Sequence, residues 1–242
     1  MTIKHELKKL ARRAGLELRR FNSQESPDAR LLHQLQLHRI DLVIDVGAND
    51  GGYGRFLRTG AYTGQILSFE PLSKAHADLM VATADDTQWF VAPRMALGES
   101  DGETKINIAG NSTSSSVLPM GALHQAAAPS SVYQGNEPVL LRRLDGFEHL
   151  AISKARSILL KIDTQGYEMP VLRGAAQLLQ RVCGIQLELS VVALYDGQTT
   201  YRETIQWLAD QGFELWNLLP GFADPGSGRM LQFDGVFFKQ RA

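Results

Sequence analysis

The chain has 242 residues, 44% hydrophobic and 21% charged, with a net charge of −1. That length gives one α/β domain an ample core with a small extension to spare, and the balanced charge carries no nucleic-acid signature. Cys183 is the only cysteine, which excludes an internal disulfide and argues against a cysteine-based metal site. No apolar run reaches the length of a membrane span, and the N-terminus lacks the apolar core of a signal peptide. The cytoplasm is therefore the expected compartment, with association at the membrane periphery left open by the first segment.

Residues 1–20 differ from the rest in composition. Lys4, Lys8, Lys9, Arg12, Arg13, Arg19 and Arg20 face only Glu6 and Glu17, a local charge of +5 that leaves −6 for the remainder. Ile3, Leu7, Leu10, Ala14 and Leu18 recur at helical spacing, so a basic amphipathic helix is expected. Such a helix suits an anionic membrane surface or a partner; its thin apolar stripe without aromatics favours packing on its own domain instead. Residues 22–27 are turn-like, and Pro27 suits the first position of a second helix over 29–38. Residues 1–40 thus read as a basic helical extension and 41–242 as the main domain, with oligomerisation left open.

Residues 42–46 form a short apolar run rich in β-branched side chains, the pattern of a buried parallel strand. It closes on Asp45 and runs into Gly47, Gly51 and Gly52, which let a backbone approach a ligand closely. In a dinucleotide fingerprint the middle position is glycine, leaving room for a pyrophosphate; here it is Asn49. An acid before the first glycine also suits a cationic ligand, and S-adenosyl-L-methionine, with an ammonium and a sulfonium, fits that requirement. A helix over 53–59 ends at Gly60, and a second strand over 65–70 closes on Glu70 and Pro71. Glu70 lies where an acid at the end of the second strand meets ribose hydroxyls.

A third strand is expected over 89–97 and a short one over 105–108. Residues 110–131 form a long polar tract containing N-S-T-S-S-S, whose hydroxyls suit a polyhydroxylated substrate and whose composition equally suits a flexible linker. Strands at 138–144, 157–163 and 185–190 close on or near Asp145, Asp163 and Glu188. Helices are expected over 167–181 and 201–211, and two final strands over 213–218 and 231–239. Strands alternating with helices predict a doubly wound α/β sheet.

The ordered series D-V-G-A-N-D-G, S-F-E-P at 68–71, A-L-G-E at 96–99, K-I-D-T-Q-G-Y-E at 161–168 and L-E-L-S at 187–190 resembles the FkbM family of methyltransferases. L-Y-D-G-Q at 194–198, Q-G-F-E-L at 211–215 and Q-F-D at 232–234 extend the likeness over roughly residues 41–239. The resemblance implies a Rossmann-like methyltransferase sheet with a final antiparallel strand. It implies that Asp45, Gly47, Asn49, Gly51, Glu70 and Pro71 belong to an S-adenosyl-L-methionine site, with Ala96 and Leu97 beside the adenine. A sugar or glycan hydroxyl, of the surface-polysaccharide type, is the implied acceptor.

Methyl transfer to a hydroxyl requires that its proton be taken up during the step, by a base or with help from a metal. Asp163 and Glu188, ending neighbouring strands, are the candidates for a catalytic base, a carboxylate pair, or ligands of a hard divalent cation. Asp145 and Asp234 are secondary candidates for the same pocket. His124 and His149 fall in loop-like segments and read as surface residues. A non-catalytic cofactor-binding scaffold and a nucleotide-sugar oxidoreductase are the rival readings, and Asn49 argues against the second.

Overall fold

The computed structural model describes residues 3–239. A seven-stranded sheet has the order β3-β2-β1-β7-β8-β10-β9, built from β1 (Leu42–Val46), β2 (Gln65–Phe69), β3 (Trp89–Val91), β7 (Ile158–Ile162), β8 (Val182–Ser190), β9 (Phe213–Pro220) and β10 (Gln232–Lys239). All of its strands are parallel except β10, which runs antiparallel to β8 and to β9. This is the Rossmann-like methyltransferase sheet with one reversed strand that the motifs imply.

Every residue of β1 and of β7 is buried, and alternate side chains serve opposite faces. Leu42, Ile44 and Val46 pack with Ile158, Leu160 and Ile162 against Val171, Leu172 and Leu208, which belong to α7 (Glu168–Arg173) and α8 (Tyr201–Asp210). Val43 and Leu159 point the other way, onto Leu31, Leu32, Leu35, Leu57 and Leu79, from α2 (Pro27–Leu37), α3 (Gly52–Thr59) and α4 (Ser73–Ala82). Helix α2, capped by Ser26, therefore packs as part of the layer covering the sheet, although the sequence groups it with the extension.

The extension proper is α1 (Ile3–Arg13). It is shorter than the expected helix, whose first two residues lie outside those described, because the chain turns at Gly15 with φ +74°. It does not lie against its own domain: residues 5–21 are exposed apart from the half-buried Ala11.

Three further expectations change. The strand over 89–97 is two strands in two sheets: β3 stops at Val91, and β4 (Ala96–Leu97) joins a small sheet of order β4-β6-β5 with β5 (Gly102–Ala109) and β6 (Tyr133–Arg142). Pro93 between them has no amide to continue a ladder. The helix over 167–181 ends at Gly174, where a Cβ would collide with the Gly98 carbonyl; a separate 3-10 turn, Leu178–Gln180, follows. The tract 110–131 is folded rather than linker-like. It carries the short helix α5 (Ala122–Ala127), and α6 (Leu150–Lys154) is a second helix without a sequence signal.

Helix α3, which carries the glycine turn, is seated by contact with Trp89: a Cβ on Gly54 would overlap the indole ring, and that ring is anchored by Trp89 Nε1 donating to Ser68 Oγ at 2.9 Å. Gly54→Ala should therefore cost about 1–3 kcal/mol by overpacking, read as a lower urea midpoint with unchanged slope.

Candidate active site

The turn after β1 is drawn tight by two bonds, Gly47 N and Ala48 N both donating to Phe69 O at 3.0 and 3.1 Å. Gly47 and Gly51 have φ of +79° and +89°, and Asn49 takes +48°, a left-handed region that asparagine tolerates. Glycine is required at 47 for a second reason, since a Cβ there would collide with the Asp163 carbonyl of β7's trailing turn. The turn opens on a cavity of about 300 Å³ at the carboxyl ends of β1, β2 and β7, the usual ligand position in open α/β sheets.

Glu70 forms one wall. Asn49 N donates to its Oε2 at 2.7 Å and Leu72 N to its Oε1 at 2.8 Å. Burial pushes its carboxyl up to about 7, against the lowering effect of the two amides. Each oxygen keeps acceptor capacity for a hydroxyl from the cavity. Asn49, Pro71, Ala96 and Leu97 also line the cavity, as do the apolar Met95 and Ile106. Ala96 and Leu97 reach it from the small sheet rather than from the third strand.

The floor carries a group that the sequence does not single out. Lys161, only 5% exposed, places its Nζ 3.0 Å from Asp45 Oδ1 and 3.6 Å from Asp163 Oδ2. Its ammonium also lies 5.2 Å from the centre of the Tyr53 ring, a cation–π contact. Burial alone would lower its pKa, but Asp45 and Asp163 outweigh that and raise it, so Lys161 stays charged. Asp45 is 0% exposed and does not line the cavity. Burial pushes its carboxyl up while Lys161 opposes the shift. Neither of its oxygens has a directional hydrogen bond among the described residues, so charge holds the pair.

Asp163 lines the cavity. Its Oδ1 accepts from Gln165 Nε2 at 2.8 Å, and the same amide donates to Glu188 Oε2 at 3.0 Å. The two candidate carboxylates are thus brought together, but through a shared amide. Glu188 does not line the cavity. It also accepts from Gln232 Nε2 at 2.6 Å, and burial, reinforced by Asp163, Glu168 and Asp234, pushes its carboxyl well up. Gln165, with φ +53°, is itself held by the Tyr195 hydroxyl donating to its Oε1 at 2.9 Å. Asp234 lines the cavity beside Asp163, and Gln186 Nε2 donates to it at 2.8 Å.

Other sequence candidates lie elsewhere. Gly51 caps α3 and packs on Leu79 and Trp89, away from the cavity. Asp145 accepts the amides of Gln177 and Leu178, serving the second short turn. His149 caps α6 through Nδ1, accepting from Ala151 N. His124 is buried rather than on the surface, its ring edge-on to Tyr195. Ser112, Thr113 and Ser115 of the long tract do line the cavity, as do Asp163 and Gln165.

Residues 45–215 match the Methyltransferase FkbM domain. The chain belongs to the FkbM methyltransferase family. No curated protein matches it. Similar solved structures include a putative RNA methyltransferase from Pyrococcus horikoshii, at 13% identity over 88% of this chain and 84% of that one, with a TM-score of 0.44. An rRNA methylase from Streptococcus thermophilus shares 10% identity over 88% and 96%, with a TM-score of 0.47. A TehB-like methyltransferase from Corynebacterium glutamicum shares 12% identity over 98% and 96%, with a TM-score of 0.43.

As an FkbM enzyme the protein is an S-adenosylmethionine-dependent methyltransferase, and the cavity fits that cofactor. Glu70 has acceptor capacity for hydroxyls entering the cavity, and Asn49 and Asp163 line it beside Glu70. Among the described residues no group of three or more His, Cys, Asp or Glu could hold a metal ion.

Glu70→Ala should weaken S-adenosylhomocysteine binding by about 1–3 kcal/mol, measured by calorimetry at pH 8. Hydroxyl donors select the ionised carboxylate, and its pKa stands near 7. Affinity should therefore rise from pH 6 to pH 8 and then level, a slope that Glu70→Gln removes. Lys161→Met leaves Asp45 buried and unpaired, and should destabilise the fold by about 3–5 kcal/mol. The Asp45→Leu/Lys161→Met double variant should recover much of that loss, measured by the same urea titration.

Proposed function

We propose that the enzyme O-methylates a hydroxyl of a sugar or glycan precursor, with Asp163 as the base. The observation that carries this reading is the composition of one cavity wall. Ser112, Thr113 and Ser115 line the same cavity as Asp163, Gln165 and Asp234, a polar lining in which neighbouring hydroxyls of a sugar find both donors and acceptors. The Glu70 wall lies in the same cavity, so the cofactor and acceptor sides meet.

When bound, the cofactor supplies an electrophilic methyl group on a sulfonium. The remaining work falls to the chain. With cofactor and acceptor bound, the cavity would hold the acceptor oxygen for attack, and such positioning supplies much of the rate in an in-line displacement. Methyl transfer to a hydroxyl would release the hydroxyl proton as the oxygen–carbon bond replaced the carbon–sulfur bond, and Asp163 would take that proton up. Gln165 and Lys161 hold that carboxylate from two sides, which orients it and leaves little room for a divalent cation to take their place.

Asp163→Asn should preserve S-adenosylhomocysteine affinity while lowering turnover about 10²–10⁴-fold, the usual range for loss of a general base. Chelation should leave wild-type turnover unchanged. Mass spectrometry of glycans from cells with and without the protein should show one methyl group fewer per repeat in its absence. A methyl-independent glycan profile, or wild-type turnover in Asp163→Asn, would count against the reading.

A further inference from the structure

We propose that residues 5–21 dock the enzyme onto an anionic lipid surface. The proposal is independent of the acceptor chosen above.

Exposed large apolar side chains are concentrated in this short stretch. Leu7, Leu10, Leu16, Leu18 and Phe21 are 53%, 65%, 62%, 49% and 69% exposed. Leu7 and Leu10, three apart, share one face of α1, while Lys8, Lys9, Arg12 and Arg13 occupy the flank and the opposite face. Helix α1 closes with Leu16 N donating to Ala11 O at 2.8 Å, after which Leu16, Leu18, Arg19, Arg20 and Phe21 continue the alternation of apolar and basic side chains. Lys9, Arg12 and Arg13 form no ion pair among the described residues.

The base of this segment is fixed. Arg30 donates to the carbonyls of Ser23 and Gln24 at 2.8 and 3.0 Å and to Asn217 Oδ1 of β9 at 2.9 Å. The exposed stretch is therefore presented from an anchored root on the main domain.

Charge decides the occupant. The segment carries +4 and the rest of the chain −5, so the matching surface must be negative and must also accept leucine and phenylalanine side chains. A second copy of the segment repeats the same positive charge. A nucleic acid satisfies the cations and leaves the apolar side chains in water. An anionic bilayer takes both, with basic groups among the headgroups and apolar side chains in the acyl boundary. No described helix is long and apolar enough to cross a membrane, so the attachment is peripheral. The net negative remainder is repelled by the same surface, which confines contact to this segment.

The test is co-sedimentation of the full chain with phosphatidylcholine vesicles, with and without about one-third phosphatidylserine. Binding should require phosphatidylserine and fall at least about tenfold between low and high salt. Arg12→Glu/Arg13→Glu and Leu10→Asp/Phe21→Asp should each lose at least about tenfold in vesicle binding, with S-adenosylhomocysteine binding unchanged. Three results would each overturn the proposal: no binding to phosphatidylserine vesicles by protein that still binds S-adenosylhomocysteine, equal binding to both vesicle types, or full binding by both variants. Concentration-dependent dimerisation that Leu10→Asp/Phe21→Asp abolishes, without vesicle binding, would assign the segment to a second copy instead.

Discussion

Asp45 and Lys161 occupy register-paired positions on β1 and β7, and the site depends on their ion pair. A strand buried on both faces tolerates a charge only with a partner at hand, because the desolvation cost of a lone ion is large. The pairing also has a direction. Lys161 reaches past Asp45 to Asp163, just beyond the end of its own strand, and lies over the Tyr53 ring of α3. One ammonium thus relates the first strand, the fourth strand of the sheet and the helix that carries the glycine turn. The placement of Asp163 in the cavity follows from that geometry, since one oxygen faces Lys161 and the other Gln165.

Around this cation the acids outnumber their counter-charges. Asp234, Glu168 and Glu188 all have carboxyls that burial pushes up, and neutral donors take the place of further cations. Gln165, Gln186 and Gln232 each donate to one or more of them, and the amides of Thr164 and Gly166 serve Glu168. The amides satisfy the acceptor oxygens of buried carboxyls whose charged form desolvation disfavours.

The first two strands, the glycine turn and the position of Glu70 were legible because each leaves a local mark: a β-branched run, glycines at fixed offsets, an acid closing the second strand. Lys161 left none, since a single lysine in an apolar strand has meaning only when its register partner is known. Asp45 read as a cofactor-facing residue because its position before Gly47 is visible, while the side toward which it turns depends on Lys161. Asp145 closes a strand as catalytic residues often do, and His149 read as a surface residue, yet both serve as caps, which requires knowing that α6 and the 3-10 turn exist. His124 misled in the opposite direction. A loop-like composition suggested exposure, and the segment instead folds inward against Tyr195.

The tract 110–131 shows why composition alone left two readings even. Serines and asparagine satisfy backbone groups as well as they satisfy water, so the same letters serve a linker or a buried loop. Here they turn inward. Ser115 Oγ accepts from Ala109 N at 2.9 Å, Ser116 Oγ donates to Gln165 O at 2.7 Å, and Ser114 O accepts from the Tyr195 hydroxyl at 3.1 Å. Each bond uses a hydroxyl or carbonyl to close the loop over the end of the sheet, where an apolar side chain would leave the facing polar group unsatisfied. The loop and Gln165 thereby hold each other in place. The hydroxyl-bearing wall and the Asp163 carboxylate then form one rigid unit, so a change in the serine run should alter how Asp163 is presented as well as what the wall can bind.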